Sequence, residues 1–84
     1  MFNMIIKYFA WIKDITNKDY DEIKNNPPKT INDLKKLLCE LYPNLEKHIN
    51  NDILRYAINM EYTSINQTLT SKDEIAIFPP VSGG

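Results

Sequence analysis

The sequence feature that most restricts the possible folds of this chain is one segment of helical periodicity. Segments in which apolar and polar residues alternate lie on both sides of it. The helical segment follows Pro27 and Pro28 and ends before Pro43, and Thr30 is well suited to cap its first turn. Its apolar residues recur on one helical face, at Ile31, Leu34, Leu37, Leu38 and Leu41. The sequence therefore predicts one main helix that packs through this face.

The alternating segments predict two strands before the helix and three after it. They span residues 4–12, 20–24, 53–59, 62–65 and 74–78. In the first, even positions are apolar, whereas odd positions are mixed and include Lys7 and Phe9. A hairpin, one helix and further strands predict an α+β fold with the helix on one face of a mixed sheet of four to five strands. The β-grasp (ubiquitin-like) fold has this order, and by analogy with it the first and last strands lie side by side and parallel.

Composition narrows the function classes. The 84 residues predict one domain, and 43% hydrophobic with 25% charged residues is typical of a globular protein. A net charge of −1 gives no broad basis for nucleic-acid binding, and no apolar run approaches the length of a membrane span. Cys39 is the only cysteine and His48 the only histidine, so neither an internal disulfide nor a four-ligand zinc site is expected. A single thiol is typical of a reducing compartment, so we expect a cytoplasmic protein.

The C-terminus carries the chemistry that we predict. Residues 1–78 form the expected domain and residues 79–84 a flexible tail, Pro79, Pro80, Val81, Ser82, Gly83 and Gly84. The two prolines end the last strand, and the only two glycines of the chain come last. A glycine carboxylate has no side chain beside the reacting carbon, so such a tail can enter a narrow active site of another protein. The alternative interpretation is a frayed chain end.

The last sixteen residues, LTSKDEIAIFPPVSGG, closely resemble the ending of molybdopterin synthase small subunits. Ile6-Lys7-Tyr8-Phe9-Ala10 also resembles the first strand of that family, and the length and element order agree throughout. A Gly-Gly ending alone would indicate only the wider ubiquitin-like sulfur carriers. Phe-Pro-Pro-Val-Ser-Gly-Gly is more specific, and the resemblance covers nearly the whole chain.

The resemblance implies a sulfur carrier without catalytic groups or a bound cofactor of its own. A partner related to ubiquitin-activating enzymes would use ATP to adenylate Gly84, and a persulfide sulfur donor would convert it to a thiocarboxylate. The tail would then enter the large subunit of molybdopterin synthase, whose lysines catalyse sulfur transfer to cyclic pyranopterin monophosphate. The product is the dithiolene of molybdopterin, and the synthase of this family is a heterotetramer.

The resemblance also implies that Phe9 and Phe78, together with Tyr62, bind the partner. Strand alternation supports the first two independently, because both lie on the mixed, non-core side. Grouped exposed aromatic residues are typical of interfaces, although scattered, harmless exposure is the alternative. Cys39 is interpreted as a buried, inert thiol, with a sulfur relay as the alternative, and His48 as a surface residue.

Three other functions stay open. The chain could carry sulfur for thiamine synthesis or tRNA thiolation, and the sulfur acceptor distinguishes these from the pterin pathway. It could be a ubiquitin-like modifier that forms isopeptide bonds through Gly84, which lysine conjugates would reveal. A plain interaction module would not need Gly84 at all.

Overall fold

Five strands form one mixed sheet in a computed structural model that describes residues 3–63 and 65–80. They are β1 (Met4–Tyr8), β2 (Tyr20–Ile23), β3 (Arg55–Ile58), β4 (Glu61–Thr63) and β5 (Glu74–Phe78). The order across the sheet is β2-β1-β5-β3-β4. The first and last strands, β1 and β5, pair in parallel at its centre, and the other neighbours pair antiparallel. The α+β fold and the adjacency of the terminal strands are therefore confirmed.

The main helix forms where the apolar periodicity predicts it. The chain has three α-helices in its described part, α1 (Trp11–Thr16), α2 (Ile31–Leu41) and α3 (Glu46–Asn50), with a 3₁₀ turn at Pro43–Leu45. Thr30 is the N-cap of α2, because its Oγ1 accepts a hydrogen bond of 3.2 Å from the amide of Asp33. The predicted cap and helix are confirmed.

The core lies between α2 and one face of the sheet. Its fully buried side chains include residues of both layers: Met4, Ile6 and Tyr8 of β1, Leu34 and Leu38 of α2, and Ile75 and Ile77 of β5. Successive strand residues alternate between this face and the opposite one, which explains why Ile5 and Lys7 are only half-buried. Leu41, which the periodicity assigns to the core, is 46% exposed because it lies in the last helical turn.

The first strand ends earlier than the alternation predicts. It stops at Tyr8, Ala10 has φ of 55° and ψ of −136°, and α1 begins at Trp11. The prediction of a strand over residues 4–12 was wrong for its last four residues. Ile12 and Thr16 lie four residues apart and are both buried, so Ile12, which fits the alternation, also fits a helical period.

Three of the other strands differ from their predicted bounds by one or two residues, and the second of the five strands ends at Ile23 rather than at residue 24. The third strand covers Arg55–Ile58 rather than 53–59, and the fourth covers Glu61–Thr63 rather than 62–65. A two-residue turn of Asn59 and Met60, both with positive φ, joins them. The last strand has the predicted bounds, Glu74–Phe78.

Candidate functional site

The sheet has a face without helices, which we call the open face. By strand register it carries Tyr20 and Glu22 of β2, Ile5 and Lys7 of β1, Glu74, Ala76 and Phe78 of β5, Arg55 and Ala57 of β3, and Tyr62 of β4. All three aromatic residues predicted to bind a partner belong to this side of the molecule. Whether they bind one stays a prediction.

Tyr62 and Phe78 contact each other across a strand that separates them. Their ring centroids lie 5.4 Å apart at an interplanar angle of 55°. Tyr62 pairs with Ala57 of β3, and Phe78 pairs with Arg55, which lies two residues before Ala57. The two rings therefore meet diagonally across β3. The small Ala57 side chain leaves room for them, and it is only 6% exposed although it lies on the open face.

Phe9 lies beside the end of β5. Its amide donates a hydrogen bond of 3.1 Å to the carbonyl oxygen of Ile77, which continues the parallel pairing one residue beyond β1. This register places Phe9 alongside Phe78, and the side chain of Phe9 is 46% exposed. We call Phe9, Tyr62 and Phe78 the aromatic patch.

The aromatic patch adjoins the start of the predicted tail. The last strand ends at Phe78, after which Pro79 is half-buried and Pro80 is exposed. The other tail residues of the prediction, Val81, Ser82, Gly83 and Gly84, lie outside the described residues. The predicted tail therefore starts next to Phe78, a residue of the aromatic patch.

The other end of the open face carries one positive and one negative side chain, which form an ion pair. The Lys7 ammonium lies 2.8 Å from a carboxylate oxygen of Glu74, and both side chains are nearly half exposed. Such an exposed ion pair contributes little to stability. Tyr20 on the edge strand β2 is 54% exposed and pairs with Lys7, two residues before Phe9, so it lies nearer to the aromatic patch than Glu74 does. The sequence does not predict it as an interface residue, because a single aromatic residue in a short polar strand is not typical of an interface.

A second polar cluster, which the sequence did not reveal, lies on the helix side. The hydroxyl groups of Tyr8 and Tyr42 both donate hydrogen bonds to Oδ2 of Asp21, the former at 2.7 Å, and Lys18 donates to Oδ1 at 3.0 Å. Burial alone would raise the pKa of Asp21, but the hydrogen bonds from Tyr42, Tyr8 and Lys18 outweigh burial and lower it. Burial and the bond to Asp21 raise the pKa of Tyr8. The cluster joins β1 and β2 to the end of α2, so we assign it to stability.

Cys39 and His48 take part in no arrangement of catalytic groups in the described part of the chain. Cys39 is half-buried rather than buried, and burial together with the nearby Glu46 carboxylate raises its pKa, which favours the unreactive thiol. His48 is half-buried rather than on the surface, because its ring packs against Trp11, with centroids 4.8 Å apart at an interplanar angle of 52°. Within residues 3–63 and 65–80, no cluster of side chains could hold a metal ion, and none of the helices has the length and hydropathy of a membrane span.

Comparison with known sequences identifies relatives over almost the whole chain. The sequence model described as "ThiS family" matches residues 6–84, which includes the tail. The molybdopterin synthase sulfur carrier subunit of Dictyostelium discoideum is 36% identical over 83 residues, covering 94% of this chain and 93% of the relative. Its namesake from Escherichia coli is 28% identical, covering 94% and 96% of the two chains.

Solved structures agree with the fold. A putative molybdopterin converting factor subunit 1 from Pyrococcus furiosus superposes with a TM-score of 0.80 at 22% identity, covering 96% of this chain and all of the other. Small archaeal modifier protein 1 of Haloferax volcanii superposes with a TM-score of 0.78 at 26% identity, covering 96% of this chain and 98% of the other. One chain in the complex of subunits 1 and 2 of the molybdopterin-converting factor from Helicobacter pylori superposes with a TM-score of 0.68 at 26% identity. The match covers 96% of this chain and 97% of the other.

Proposed function

Because the chain belongs to the ThiS family, we propose that it is a sulfur carrier that acts as the small subunit of molybdopterin synthase. The observation that carries the proposal is the family match, which runs to residue 84 and so includes the Gly-Gly ending. The 36% identity to a curated sulfur carrier subunit over nearly its full length supports the pterin pathway in particular.

The reacting group of the proposed carrier is the carboxylate of Gly84. Adenylation joins one carboxylate oxygen to the α-phosphorus of ATP and releases pyrophosphate. The terminal sulfur of a persulfide on the donor then attacks the acyl carbon and displaces AMP. A thiol reduces the remaining S–S bond and leaves the thiocarboxylate, which delivers its sulfur to cyclic pyranopterin monophosphate. All enzymatic groups in these steps come from partners.

The aromatic patch is the proposed docking surface for these partners. Phe9 and Tyr62 are 46% and 78% exposed, and Phe78 immediately precedes the two prolines from which the tail departs. A partner that covers the patch would bury apolar rings at the centre of the interface and receive the tail beside them. The likeness to one subunit of the Helicobacter pylori complex supports a large subunit as one such partner.

The intact mass of the protein tests the carrier function directly. The protein is incubated with ATP, sulfide and its candidate adenylating enzyme. A gain that equals replacement of one oxygen by sulfur, absent from a chain that lacks Gly84, supports the proposal. The adenylating enzyme is shown to be active by its release of pyrophosphate, and no mass gain under these conditions contradicts the carrier function.

A second candidate is a protein modifier, which the likeness to small archaeal modifier protein 1 favours. The activated carboxylate of Gly84 would then react with a lysine amine and form an isopeptide bond. Tryptic peptides that carry the C-terminal residues of this chain on lysine would reveal such conjugates in cell lysate. Their absence, together with sulfur transfer to a pterin by the purified protein and large subunit, leaves the carrier function.

A further inference from the structure

The chain passes from β1 into α1 through a single residue, Ala10. Its φ of 55° and ψ of −136° lie in a region that glycine adopts readily and that a Cβ atom disfavours. The side chain of Ala10 is exposed, so burial of its methyl group does not offset this strain. A strained backbone persists only where the surrounding structure holds it, and such residues cluster at functional sites.

Hydrogen bonds on both sides of Ala10 hold this turn. The Phe9 amide donates to the carbonyl oxygen of Ile77 at 3.1 Å, which ties Phe9 to β5. The carbonyl oxygen of Phe9 accepts a hydrogen bond of 3.2 Å from the amide of Ile12, and that of Ala10 accepts one of 3.0 Å from Lys13. The side chain of Ile12 is fully buried, which holds α1 against the core. Phe9 is therefore fixed by the sheet at its amide and by α1 at its carbonyl group.

The proline after β5 explains why the turn comes directly after Phe9. In the parallel register of β1 and β5, Phe9 faces Phe78, and its carbonyl oxygen would accept a hydrogen bond from the amide of residue 79. Residue 79 is proline and has no N–H group to donate. The oxygen accepts its hydrogen bond from Ile12 instead, across the turn at Ala10.

We propose that Ala10 is a positioning residue of the aromatic patch, whose strained backbone fixes Phe9 beside Phe78 while Ile12 enters the core. A ring that is held in place before binding loses little conformational entropy when a partner covers it. The backbone conformation of Ala10 carries this role, and its methyl group need not contact the partner. The effect on binding rests on the proposed function, because the partner is the large subunit of molybdopterin synthase.

Two substitutions of Ala10 separate its backbone conformation from its side chain. Glycine adopts the same φ without steric cost, so Ala10→Gly should raise the melting temperature by about 4–8 °C and change the Kd for the large subunit by less than about twofold. The branched Cβ of valine is incompatible with this φ, so Ala10→Val should rearrange the turn and weaken binding about tenfold or more. Binding by Ala10→Val as tight as that of the unmodified protein overturns the proposal. Loss of binding in Ala10→Gly also overturns it, because the same turn would then not be sufficient.

Asn17→Val is the matched control. Asn17 is the C-cap at the opposite end of α1, where it is exposed and has φ of 59°. Valine at this position causes a similar steric conflict in the same helix but away from Phe9, so it should lower the melting temperature and leave the Kd unchanged. Equal weakening of binding by Asn17→Val and Ala10→Val would show that general destabilisation causes the loss, and would overturn the proposal.

Hydrogen exchange tests the turn without the partner. The amides of Phe9 and Ile12 should exchange slowly in the unmodified protein and in Ala10→Gly, and rapidly in Ala10→Val. Rapid exchange of the Ile12 amide in the unmodified protein, or slow exchange of both amides in Ala10→Val, overturns the positioning role. Ala10→Leu, whose Cβ is unbranched, replaces Ala10→Val if the valine variant does not fold. Failure of the unmodified protein to bind the large subunit contradicts the proposed function instead, and the exchange rates then decide the positioning of Phe9 on their own.

Discussion

The ring centroids of Tyr62 and Phe78 lie 5.4 Å apart, although the strands that carry these residues are not neighbours in the sheet. The contact braces Phe78 at the point where β5 ends and the predicted tail begins. An aromatic ring held in one orientation loses little entropy when a partner covers it, which is favourable for binding.

Replacing Phe78 by alanine should weaken the complex with the large subunit more than it weakens the fold. We expect a loss of about 2 kcal/mol in binding, roughly thirtyfold in Kd, because a central aromatic anchor is removed. The free energy of unfolding should fall by only about 1 kcal/mol, since the ring is half-exposed. Calorimetric titration and denaturant unfolding measure the two quantities.

Tyr20→Ala is the matched control for this variant. Tyr20 is an exposed aromatic residue of the same face, but it lies on the edge strand β2, and β1 separates it from β5, which carries Phe78. It should leave the affinity unchanged. If Phe78→Ala also leaves it unchanged, Phe78 does not belong to the interface.

Deleting Gly84 should abolish sulfur loading and leave the fold intact. Within the described residues the last strand, β5, ends at Phe78, six residues before Gly84. Intact mass spectrometry measures loading, and circular dichroism measures folding. Cys39→Ser is the control, because a thiol with a raised pKa is not expected to relay sulfur, so this variant should load normally. Sulfur loading that persists without Gly84 would refute the role of the terminal carboxylate. Loss of sulfur loading in Cys39→Ser would instead support Cys39 as a sulfur relay.

The cluster around Asp21 should make stability depend on pH at both extremes. The pKa of Asp21 is lowered from 3.8, so its stabilisation is complete above that value and is lost as the pH falls below it. The pKa of Tyr8 is raised from 10.0, so its stabilisation is complete below that value and is lost as the pH rises above it. Urea unfolding at a series of pH values measures both limbs.

Asp21→Asn should reduce the free energy of unfolding at neutral pH by about 1–3 kcal/mol. It should also reduce the further loss of stability that occurs as the pH falls into the acid range. Asp19→Asn removes the same charge from an exposed pair with Lys13 on the same hairpin and should change stability by less than about 1 kcal/mol. An acid limb that is equally steep in Asp21→Asn and in the unmodified protein would show that other carboxylates cause it.

The β3–β4 turn offers a stabilising substitution. Asn59 and Met60 are its two central residues, with φ of 50° and 73°, and a non-glycine residue at the second position carries a steric cost. Asn-Gly is the preferred pair for such turns, so Met60→Gly should stabilise the protein by up to about 1 kcal/mol. Thermal unfolding would measure the gain.

Asn59→Gly is the informative counterpart of that substitution. The Asn59 side chain bonds to Asp73 and to the amide of Glu74, so its removal should destabilise the protein although glycine tolerates the same φ. Stabilisation by both substitutions would show that backbone strain outweighs these hydrogen bonds.

Short-range sequence patterns determined the secondary structure elements that depend only on residues close together in the chain. The cap at Thr30 and the bounds of Glu74–Phe78 follow from short-range periodicity and prolines, so they could be predicted. The α+β order of elements followed as well. The chemistry that we propose was also predicted from local sequence, the Gly-Gly ending, because the reactivity of a chain end needs no tertiary contact.

The tertiary structure decided what depends on residues far apart in the chain. Whether residues 9–12 continue β1 or start α1 depends on packing, because Ile12 satisfies both periods. Tyr8, Asp21 and Tyr42 form one cluster only after three elements meet, and Tyr62 reaches Phe78 only because β3 places Ala57 between them. Sequence periodicity specifies which side of an element is apolar, whereas the partner across a sheet is set by the register of the folded chain.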